Sequence, residues 1–379
     1  MADVFVRDLR VLFLSDAIAG RNGVGSYYED LVKHLNGYIA HAELVSPGLD
    51  TGDYAHGLSF PLPGDSTQQV YLPKAGKIYD KIKTVAPDVM VVPTPGPYGL
   101  LGFVIARYLG IPVCAAYHTR YEKLTELYWS SAFSGISRLY MKWLNKILFR
   151  ASKWVVANSE EMIAEAECDG AKGPIMIGTP IAKLFLTSPS AALPAEFKSV
   201  CYAGRLSLEK NIHGILQAAK SLPRIRFTIA GDGPLRDEVA AHAETFPNIE
   251  YAGWVSREGV KKMIDDADML LLPSEVEAFG TIALEAMVRR RLVLVSVNCG
   301  ILNWPDLSAA VYVVGTHETI ADAISRIAAI GYDERIQKAE IARKTAKSFN
   351  DQTIKQWIKL FGGLLTKDCN PGKNGKKSV

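Results

Sequence analysis

The length, composition and charge of the chain limit the kinds of protein that it can be. Its 379 residues are too many for one ordinary domain and fit two domains of about 150–200 residues each. Hydrophobic residues make up 48% of the chain and charged residues 22%, as is typical of a well-packed soluble protein. The net charge of +3 is too small to indicate nucleic-acid binding, and no apolar run reaches the ~18–20 residues of a membrane span.

The N-terminus and the cysteines indicate a compartment. The chain begins Met-Ala-Asp-Val-Phe-Val-Arg-Asp, with acidic residues where a signal peptide would be basic and then apolar. Its five cysteines have neither the spacing of a disulfide framework nor that of a metal site. We therefore predict a cytoplasmic protein with reduced cysteines and no bound metal.

The first candidate site follows a strand predicted from Leu9 to Ser15. A glycine-rich segment, Ala-Gly-Arg-Asn-Gly-Val-Gly-Ser at 19–26, separates that strand from a helix that runs to about Leu35. In a turn of this kind, Gly23 and Gly25 would let backbone N–H groups reach an anionic ligand. The alternative is a tight turn without a ligand.

A histidine marks the second candidate site. The sequence predicts a buried strand over 88–93, a helix that opens at Pro-Gly-Pro-Tyr-Gly, and a further strand over 111–116. His118 follows that last strand at its C-terminal end, where open parallel sheets place their ligands. A single histidine after a strand is also often structural.

A long amphipathic helix is predicted over 131–152. Basic residues recur at every fourth position, at Arg138, Lys142, Lys146 and Arg150. The predicted apolar face comprises Leu139, Trp143, Leu144, Ile147 and Leu148. The helix either packs on the sheet with a solvated back or docks on an anionic membrane, whose surface attracts Lys and Arg. The upstream aromatic residues Tyr121, Tyr128 and Trp129 would suit such an interface.

The second half of the chain begins after a linker. Residues 188–198 are rich in Pro, Ser and Ala, so we place the first domain at 1–187 and the second at 199–348. A predicted strand at 199–203 is followed by Gly-Arg-Leu-Ser-Leu-Glu-Lys-Asn. Arg205 and Lys210 lie in this strand-to-helix loop, where two cations can neutralise a pyrophosphate. The alternative is a pair of exposed cations without a ligand.

Two glutamates lie in a strand, loop, helix, strand unit at 268–296. Apolar runs predict buried strands on either side of a helix from about Thr281 to Arg289. Gly280 lets a ligand approach the backbone, and the free amides at the start of the helix can bind phosphate. Glu277 and Glu285 could bracket that ligand, although two glutamates at this spacing are also common on a surface helix.

Helices and a tail complete the chain. We predict helices near 316–329 and 334–348 and a last amphipathic helix at about 351–365. The basic tail at 366–379 has almost nothing to bury, so we expect it to be disordered.

These motifs together resemble a known family. Glu277, seven intervening residues and Glu285, within Glu-Ala-Phe-Gly-Thr-Ile-Ala-Leu-Glu-Ala-Met, resemble the Glu-x7-Glu signature of retaining glycosyltransferases of family 4. The loop with Arg205 and Lys210 closely matches the donor-phosphate loop of that family, and the segment with Gly23 and Gly25 resembles its glycine loop. The stretch from Pro-Gly-Pro-Tyr to Ala-Ala-Tyr-His-Thr is similar to the family's lipid glycosyltransferases, which include sulfolipid synthases and diacylglycerol and phosphatidylinositol glycosyltransferases.

The resemblance implies an α/β fold of GT-B architecture. Two Rossmann-like domains would face each other across a cleft, and the helix at 349–365 would return to the first domain. A nucleoside diphosphate sugar would bind in the cleft. The implied donor-binding residues are Gly23, Gly25, Arg205, Lys210, Glu277, Ala278, Phe279, Gly280, Thr281 and Glu285.

The resemblance also implies roles in catalysis. Arg205, Lys210 and the amides of 279–281 would hold the departing diphosphate, a task that falls to a metal ion in other transferases. Glu285 would bind the ribose hydroxyls and Glu277 the sugar hydroxyls, while His118 would lie near the reacting face of the sugar. No cofactor or metal is then expected. The acceptor would attack on the face that the diphosphate leaves, so that the anomeric configuration is retained.

The substrates are left open by the sequence. We expect a UDP-sugar as donor, or next GDP-mannose, and a membrane lipid or lipid-linked glycan as acceptor, with peripheral membrane contact through 131–152. A soluble sugar or small alcohol is the alternative acceptor. Two other classes are a phosphorylase or epimerase of this architecture and a non-catalytic nucleotide-sugar-binding protein.

Three departures from the family pattern concern the same cleft. Arg290-Arg291-Leu292 stands where the family usually has Gly-x-Pro, so Arg289 to Arg291 need partners. Asn298-Cys299 stands where the first glycine of a Gly-Gly loop is usual, and could narrow the pocket. The interdomain segment from Gly178 to Phe185 lacks the usual aspartate.

Overall fold

The computed structural model of the chain describes residues 7–18, 23–48, 57–62, 65–118, 131–190 and 192–367. Several predicted features lie outside these ranges. They are residues 19–22 of the glycine-rich segment, the aromatic residues Tyr121, Tyr128 and Trp129, and residues 368–379 of the tail.

The first half of the chain forms an open parallel sheet. The strands of this half are β1 (Arg10–Leu14), β2 (His41–Val45), β3 (Ser59–Leu62), β4 (Asp65–Tyr71), β5 (Val89–Val92), β6 (Val113–Tyr117), β7 (Trp154–Ala157) and β8 (Ile175–Met176). Six of them pair in the order β2-β1-β5-β6-β7-β8, and β3 pairs with β4 as an antiparallel hairpin. Every residue of β5 and β6 is buried, because helices cover both faces of the sheet.

Among the described residues of this half, six helices accompany the sheet. They are α1 (Gly23–Leu35), α2 (Ala75–Val85), α3 (Pro97–Leu109), α4 (Ser131–Ala151), α5 (Glu160–Cys168) and α6 (Lys183–Thr187). The chain leaves α6 through the segment at 188–198 and enters the second sheet. No helix in the described ranges combines the length and the apolar character needed to cross a bilayer.

The second half repeats the architecture. Its strands are β9 (Ser199–Ala203), β10 (Arg226–Ala230), β11 (Ile249–Gly253), β12 (Met269–Leu272), β13 (Leu292–Val295) and β14 (Tyr312–Val313), all parallel, in the order β11-β10-β9-β12-β13-β14. The helices are α7 (Ile212–Ser221), α8 (Arg236–Thr245), α9 (Arg257–Asp266), α10 (Thr281–Val288), α11 (Pro305–Ala310), α12 (Ile320–Ala328) and α13 (Tyr332–Lys367).

The C-terminal helix α13 contacts both halves. Phe349 packs in the core cluster that contains α10, whereas Trp357 and Phe361 pack in the cluster that contains β1 and α1. We predicted two helices here, but α13 is one helix of 36 residues, which also includes residues 366 and 367 of the predicted disordered tail. The polar stretch at Asn350 does not break the helix, because the buried side chain of Asn350 accepts a hydrogen bond from the N–H of Ile181 at 2.8 Å.

The three consecutive arginines after α10 are held by the second domain and the linker. Arg289 is buried, pairs with Asp265 at 2.7 Å and donates to the carbonyl oxygens of Ser188 and Pro189. Arg291 is also buried and donates to backbone carbonyls of α9. Arg290 has a φ of +60°, so the turn keeps the left-handed conformation that glycine favours, at a residue that is not glycine.

Candidate active site

Each sheet has one position where its strand order reverses, and open α/β sheets bind ligands in the crevice beyond that position. In the second sheet the reversal lies between β9 and β12. The two loops that follow these strands, 204–211 and 273–280, therefore lie side by side. They contain all the predicted donor-binding residues of the second domain except Thr281 and Glu285, which belong to α10.

An ion pair joins these two loops. Nζ of Lys210 lies 2.7 Å from Oε2 of Glu277, and both side chains are largely buried. Burial alone would lower the pKa of Lys210, but Glu277 and, to a smaller extent, Glu209 and Cys299 together outweigh burial and raise that pKa, so the ammonium group stays charged. Arg205 lies in the same loop, where its carbonyl oxygen accepts the hydroxyl proton of Tyr202 at 2.7 Å.

Close backbone packing fixes the loop before α10. The N–H of Gly300 donates to the carbonyl of Glu277 at 2.9 Å, and a Cβ at Gly300 would lie 1.9 Å from the carbonyl oxygen of Ala278. Gly280 has a φ of +93° and precedes the first helical residue, Thr281. The first amides of α10 have no intrahelical partners, so this end can accept a phosphate oxygen.

Contacts with Phe349 and Cys299 also hold this loop in place. Phe279 is buried and stacks on Phe349 of α13 at a centroid distance of 5.7 Å. The thiol of Cys299 donates to the carbonyl of Phe279 at 3.3 Å. Cys299, which replaces a usual glycine, is thus buried against the loop. Ala278 packs against the hydrophobic core of the first domain, so this loop also contacts both halves of the chain.

Glu285 belongs to a charged cluster between the domains. Nη2 of Arg257, the first residue of α9, lies 2.8 Å from Oε1 of Glu285 and 2.9 Å from Oδ2 of Asp30 on α1. Burial raises the pKa of Glu285 to about 7 and that of Asp30 to about 6, and the arginine only partly offsets it. A ribose at Glu285 would have to share this carboxylate with Arg257 or displace the guanidinium.

His118 lies in a buried aromatic cluster in the first domain. Its Nε2 is 2.6 Å from Oη of Tyr28, and its ring stands 4.6 Å from that of Tyr27. Burial lowers the pKa of His118 to about 3, so the ring is neutral at physiological pH. Nδ1 is buried and has no hydrogen-bond partner among the described residues.

The structure corrects the location of the two glycines. We placed Gly23 and Gly25 in a turn before the helix, but α1 already begins at Gly23, so both residues lie in its first turn. Neither has a positive φ, and Gly25 is buried. The helix begins early because glycine also adopts helical angles, and because Tyr27 and Tyr28 anchor this turn in the core.

The N-terminus of α3 is already occupied by a side chain of the protein. The carboxylate of Asp16, just after β1, accepts the N–H groups of Tyr98 at 2.7 Å and Gly99 at 3.2 Å and the hydroxyl of Thr94 at 2.7 Å. A Cβ at Gly96 would lie 2.4 Å from Cγ of Asp16. This carboxylate caps α3 and fixes the loop after β5.

Sequence reasoning missed Asp30, Arg257 and Tyr28. Arg257 follows the Gly-Trp-Val-Ser segment, which resembles a family segment near the nucleotide base, and this was the one available signal. Asp30 and Tyr28 lie inside a regular helix, where no local pattern distinguishes them. In the described ranges, no group of three or more His, Cys, Asp or Glu side chains is arranged to hold a metal ion.

Two family models match the chain. A model described as Glycosyltransferase Family 4 matches residues 21–177, and a model described as Glycosyl transferases group 1 matches residues 187–348. Together they cover most of both halves.

Characterised relatives are similar over part of their length. A sulfoquinovosyl transferase from Arabidopsis thaliana is 23% identical over 60% of this chain and 46% of its own. An alpha-D-kanosaminyltransferase from Streptomyces kanamyceticus is 25% identical over 59% of this chain and 63% of its own. An alpha-monoglucosyldiacylglycerol synthase from Streptococcus pneumoniae is 27% identical over 53% and 49%. The chain therefore spans about half to just under two thirds of these relatives.

Solved structures share the fold at lower identity. A sucrose-phosphate synthase from Thermosynechococcus elongatus superposes with a TM-score of 0.72 at 17% identity, over 95% of this chain and 100% of that one. Anabaena HepE, solved with UDP and glucose, gives a TM-score of 0.66 at 16% identity, over 93% and 98%. The predicted GT-B fold is confirmed. The chain therefore carries a Glycosyltransferase Family 4 domain in its first half and a Glycosyl transferases group 1 domain in its second half.

Proposed function

We propose that the chain is a retaining glycosyltransferase that moves a sugar from a nucleoside diphosphate sugar to a hydroxyl group. The observation that carries this proposal is the Lys210–Glu277 pair, which joins the cationic loop after β9 to the glutamate loop before α10. A phosphate-binding cation and a carboxylate able to accept sugar hydroxyls are thereby held at one point of the cleft. HepE, whose fold this chain shares, binds UDP and glucose, and this supports a UDP-sugar as donor ahead of GDP-mannose.

Each predicted residue has a role in this proposal. Arg205, Lys210 and the amides of 279–281 hold the diphosphate, which needs positive charge most when it leaves. Glu277 binds the hydroxyls of the sugar and stabilises positive charge at the anomeric carbon. Glu285 binds the ribose hydroxyls through its carboxylate, which it shares between the ribose and Arg257.

The reaction step follows from this arrangement. The bond between the anomeric carbon and the phosphate oxygen breaks, and a bond from the acceptor oxygen forms on the same face. The acceptor proton passes to an oxygen of the departing diphosphate, and both electrons of the broken bond leave with it. We propose that the two cations perform the charge neutralisation without a metal ion.

Helix α4 supports a lipid acceptor. We predicted five apolar residues on its packed face, but the structure buries only Leu144 and Leu148 of these. Leu139, Trp143 and Ile147, spaced four residues apart, are 71%, 58% and 40% exposed, next to exposed basic residues of the same helix. An exposed apolar row beside cations suits an anionic membrane surface. One of the relatives named above, the alpha-monoglucosyldiacylglycerol synthase, makes a glycolipid by its name, which supports this acceptor class.

A nucleotide-binding panel tests the proposal first. Melting temperatures are recorded with UDP, GDP, ADP and TDP and their common sugar conjugates, with EDTA and separately with magnesium. A ligand at 100 times its Kd stabilises the fold by ~2.7 kcal/mol, which raises the melting temperature.

The expected result is that one nucleotide family, with UDP favoured, raises the melting temperature in EDTA. A rise that requires magnesium would contradict metal independence. The absence of any rise would contradict donor binding altogether.

A further inference from the structure

The hydroxyl of Tyr28 contacts a nitrogen of His118 in a fully buried setting. Tyr28 Oη lies 2.6 Å from Nε2, and the two rings meet edge to face at 5.4 Å. Burial raises the pKa of the Tyr28 phenol well above its usual value, so the hydroxyl keeps its proton. Since the imidazole is neutral, exactly one of its two nitrogens carries a hydrogen.

Counting donors and acceptors decides which nitrogen this is. If Tyr28 donates to Nε2, only the Nδ1–H group is left unpaired. If Nε2–H instead donates to Tyr28, both the phenolic hydrogen and the Nδ1 lone pair are left without a partner among the described residues. An unpaired buried polar group costs ~1–3 kcal/mol, so the first arrangement is favoured.

We propose that Tyr28 is a positioning residue that fixes His118 as the Nδ1–H tautomer. His118 then presents an N–H donor to a substrate oxygen at the C-terminal edge of the first sheet. The role of this donor in transfer rests on the proposed function, whereas the tautomer itself does not. In the opposite, Nε2–H tautomer, Nδ1 carries a lone pair instead of a hydrogen. That lone pair would repel the substrate oxygen.

The molecule contains two matched references for this assignment. Tyr27 packs against the same His118 ring, but its hydroxyl donates to the carbonyl of Gly178 at 3.0 Å and accepts from Trp357. His34 is also buried with a lowered pKa, but its Nε2 lies 2.7 Å from the carbonyl oxygen of Ile181. A carbonyl only accepts hydrogen bonds, so His34 must be the opposite, Nε2–H tautomer.

The test is nitrogen NMR of the full chain with ¹⁵N-labelled histidine at pH 8. The ring nitrogen that carries the hydrogen is identified from its chemical shift and its couplings to the ring carbon protons. His118→Gln and His34→Gln each remove one of the seven histidine signal sets, and the signal set that disappears is thereby assigned to the substituted residue. We expect Nδ1–H at His118 and Nε2–H at His34 in the wild type.

The variants test whether Tyr28 sets the tautomer. Tyr28→Phe should shift His118 towards Nε2–H, the form that free imidazole side chains prefer, and should lower kcat about tenfold with a smaller change in KM. Tyr27→Phe should leave the tautomer unchanged, although it also removes a hydroxyl from the cluster.

Two results would overturn the inference: an Nε2–H signature at His118 in the wild type, or an unchanged Nδ1–H signature in Tyr28→Phe. If Tyr28→Phe does not fold, the wild-type spectrum still decides the tautomer. A wild type with the Nδ1–H signature but no transfer from any nucleotide sugar would support the tautomer and contradict the proposed function.

Discussion

At the scale of single residues, the proposed transfer depends on the ion pair between Lys210 and Glu277, which the chain holds before any donor binds. Lys210 and Glu277 come from loops after two neighbouring strands, and each keeps the other in place. The phosphate of a donor would compete with Glu277 for the ammonium group, while the sugar hydroxyls would take up the carboxylate. Such preorganised charges require little rearrangement as the diphosphate leaves.

Removing the cation should therefore affect turnover. We expect Lys210→Met to lower kcat by ~10²–10³-fold and to weaken nucleotide binding, because one charge that stabilises the leaving group is lost. Steady-state kinetics and the nucleotide-induced melting shift measure both effects. Lys220→Met, at an exposed position in α7, is the matched control. Unchanged turnover in Lys210→Met, or in Glu277→Ala, would contradict the assigned roles.

The buried carboxylate of Glu285 gives a pH-dependent prediction. Its pKa is raised to about 7 in the folded chain by burial, so the folded state binds this proton more tightly than the unfolded state does. Its contribution to stability is therefore present at low pH and is lost as the pH rises through about 7. Glu285→Gln, which cannot ionise, should melt at a higher temperature than the wild type at pH 8, with little difference near pH 5.

Thermal unfolding of both proteins between pH 5 and pH 8.5 measures this difference. The same variant should lose nucleotide binding if Glu285 holds the ribose. A wild type that is more stable than Glu285→Gln at pH 8 would show that Arg257 compensates the buried charge fully.

The sequence predicted part of this site and could not predict the rest. Glu277, Glu285, Arg205 and Lys210 lie in short motifs after strands, where spacing and residue type carry the information. The Asp30–Arg257 contact joins residues 227 positions apart, so no local pattern encodes it. It exists only because the two domains face each other at this point.

At the scale of secondary structure elements, α4 exposes a row of apolar side chains, for which we expect a binding partner. Its buried face holds the helix on the sheet, and its other face keeps the apolar row of Leu139, Trp143 and Ile147 in contact with solvent. A helix that only packed on its own domain would not need this row. Insertion of such a row into a lipid interface removes its apolar side chains from water.

Polar substitution of this row should weaken membrane binding. We expect Trp143→Ser combined with Ile147→Ser to reduce sedimentation with vesicles that contain anionic lipid, because each buried side chain contributes ~1.5–3 kcal/mol. Binding by the wild type should also decrease with salt. Tyr108→Ser is the matched control, since Tyr108 of α3 is 80% exposed but lies on another helix. Equal binding by all three proteins, or no binding at low salt, would favour a soluble acceptor.

Element boundaries were the weaker part of the sequence prediction. The strands were visible as buried apolar runs, but α13 was divided into two helices and α1 was started too late. Both errors arise where tertiary contacts override local pattern. Asn350 of α13 is satisfied by the backbone of residue 181, and Tyr27 and Tyr28 anchor the first turn of α1 in the core.

At the scale of the whole molecule, contacts among the described residues join the two halves at several points besides the packing of Ala278. Helix α13 packs in both cores, the indole N–H of Trp304 donates to the carbonyl of Asn158 at 3.3 Å, and Arg257 bridges Asp30 and Glu285. The third contact includes Glu285, so donor binding at Glu285 and the closeness of the domains are linked through Arg257.

Loss of this bridge should open the unliganded protein. We expect Asp30→Asn to increase the radius of gyration at pH 8, because Arg257 then has no charged partner on the first domain. Small-angle X-ray scattering measures this change. Glu29→Gln is the control, because Glu29 is the neighbouring residue on α1 and pairs with Lys33 on the solvent side. Identical scattering from Asp30→Asn and the wild type would mean that the remaining contacts hold the domains together without this bridge.

The proposed transfer retains the anomeric configuration of the sugar, and the configuration of the product tests this most directly. The donor identified by the nucleotide panel is incubated with membrane lipid extract and with soluble alcohols, and the anomeric carbon of the product is examined by NMR. We predict that a donor with an α-linked sugar yields an α-linked product together with one nucleoside diphosphate for each sugar transferred. A β-linked product would contradict attack on the face that the diphosphate leaves, and with it the roles given to Glu277 and Lys210.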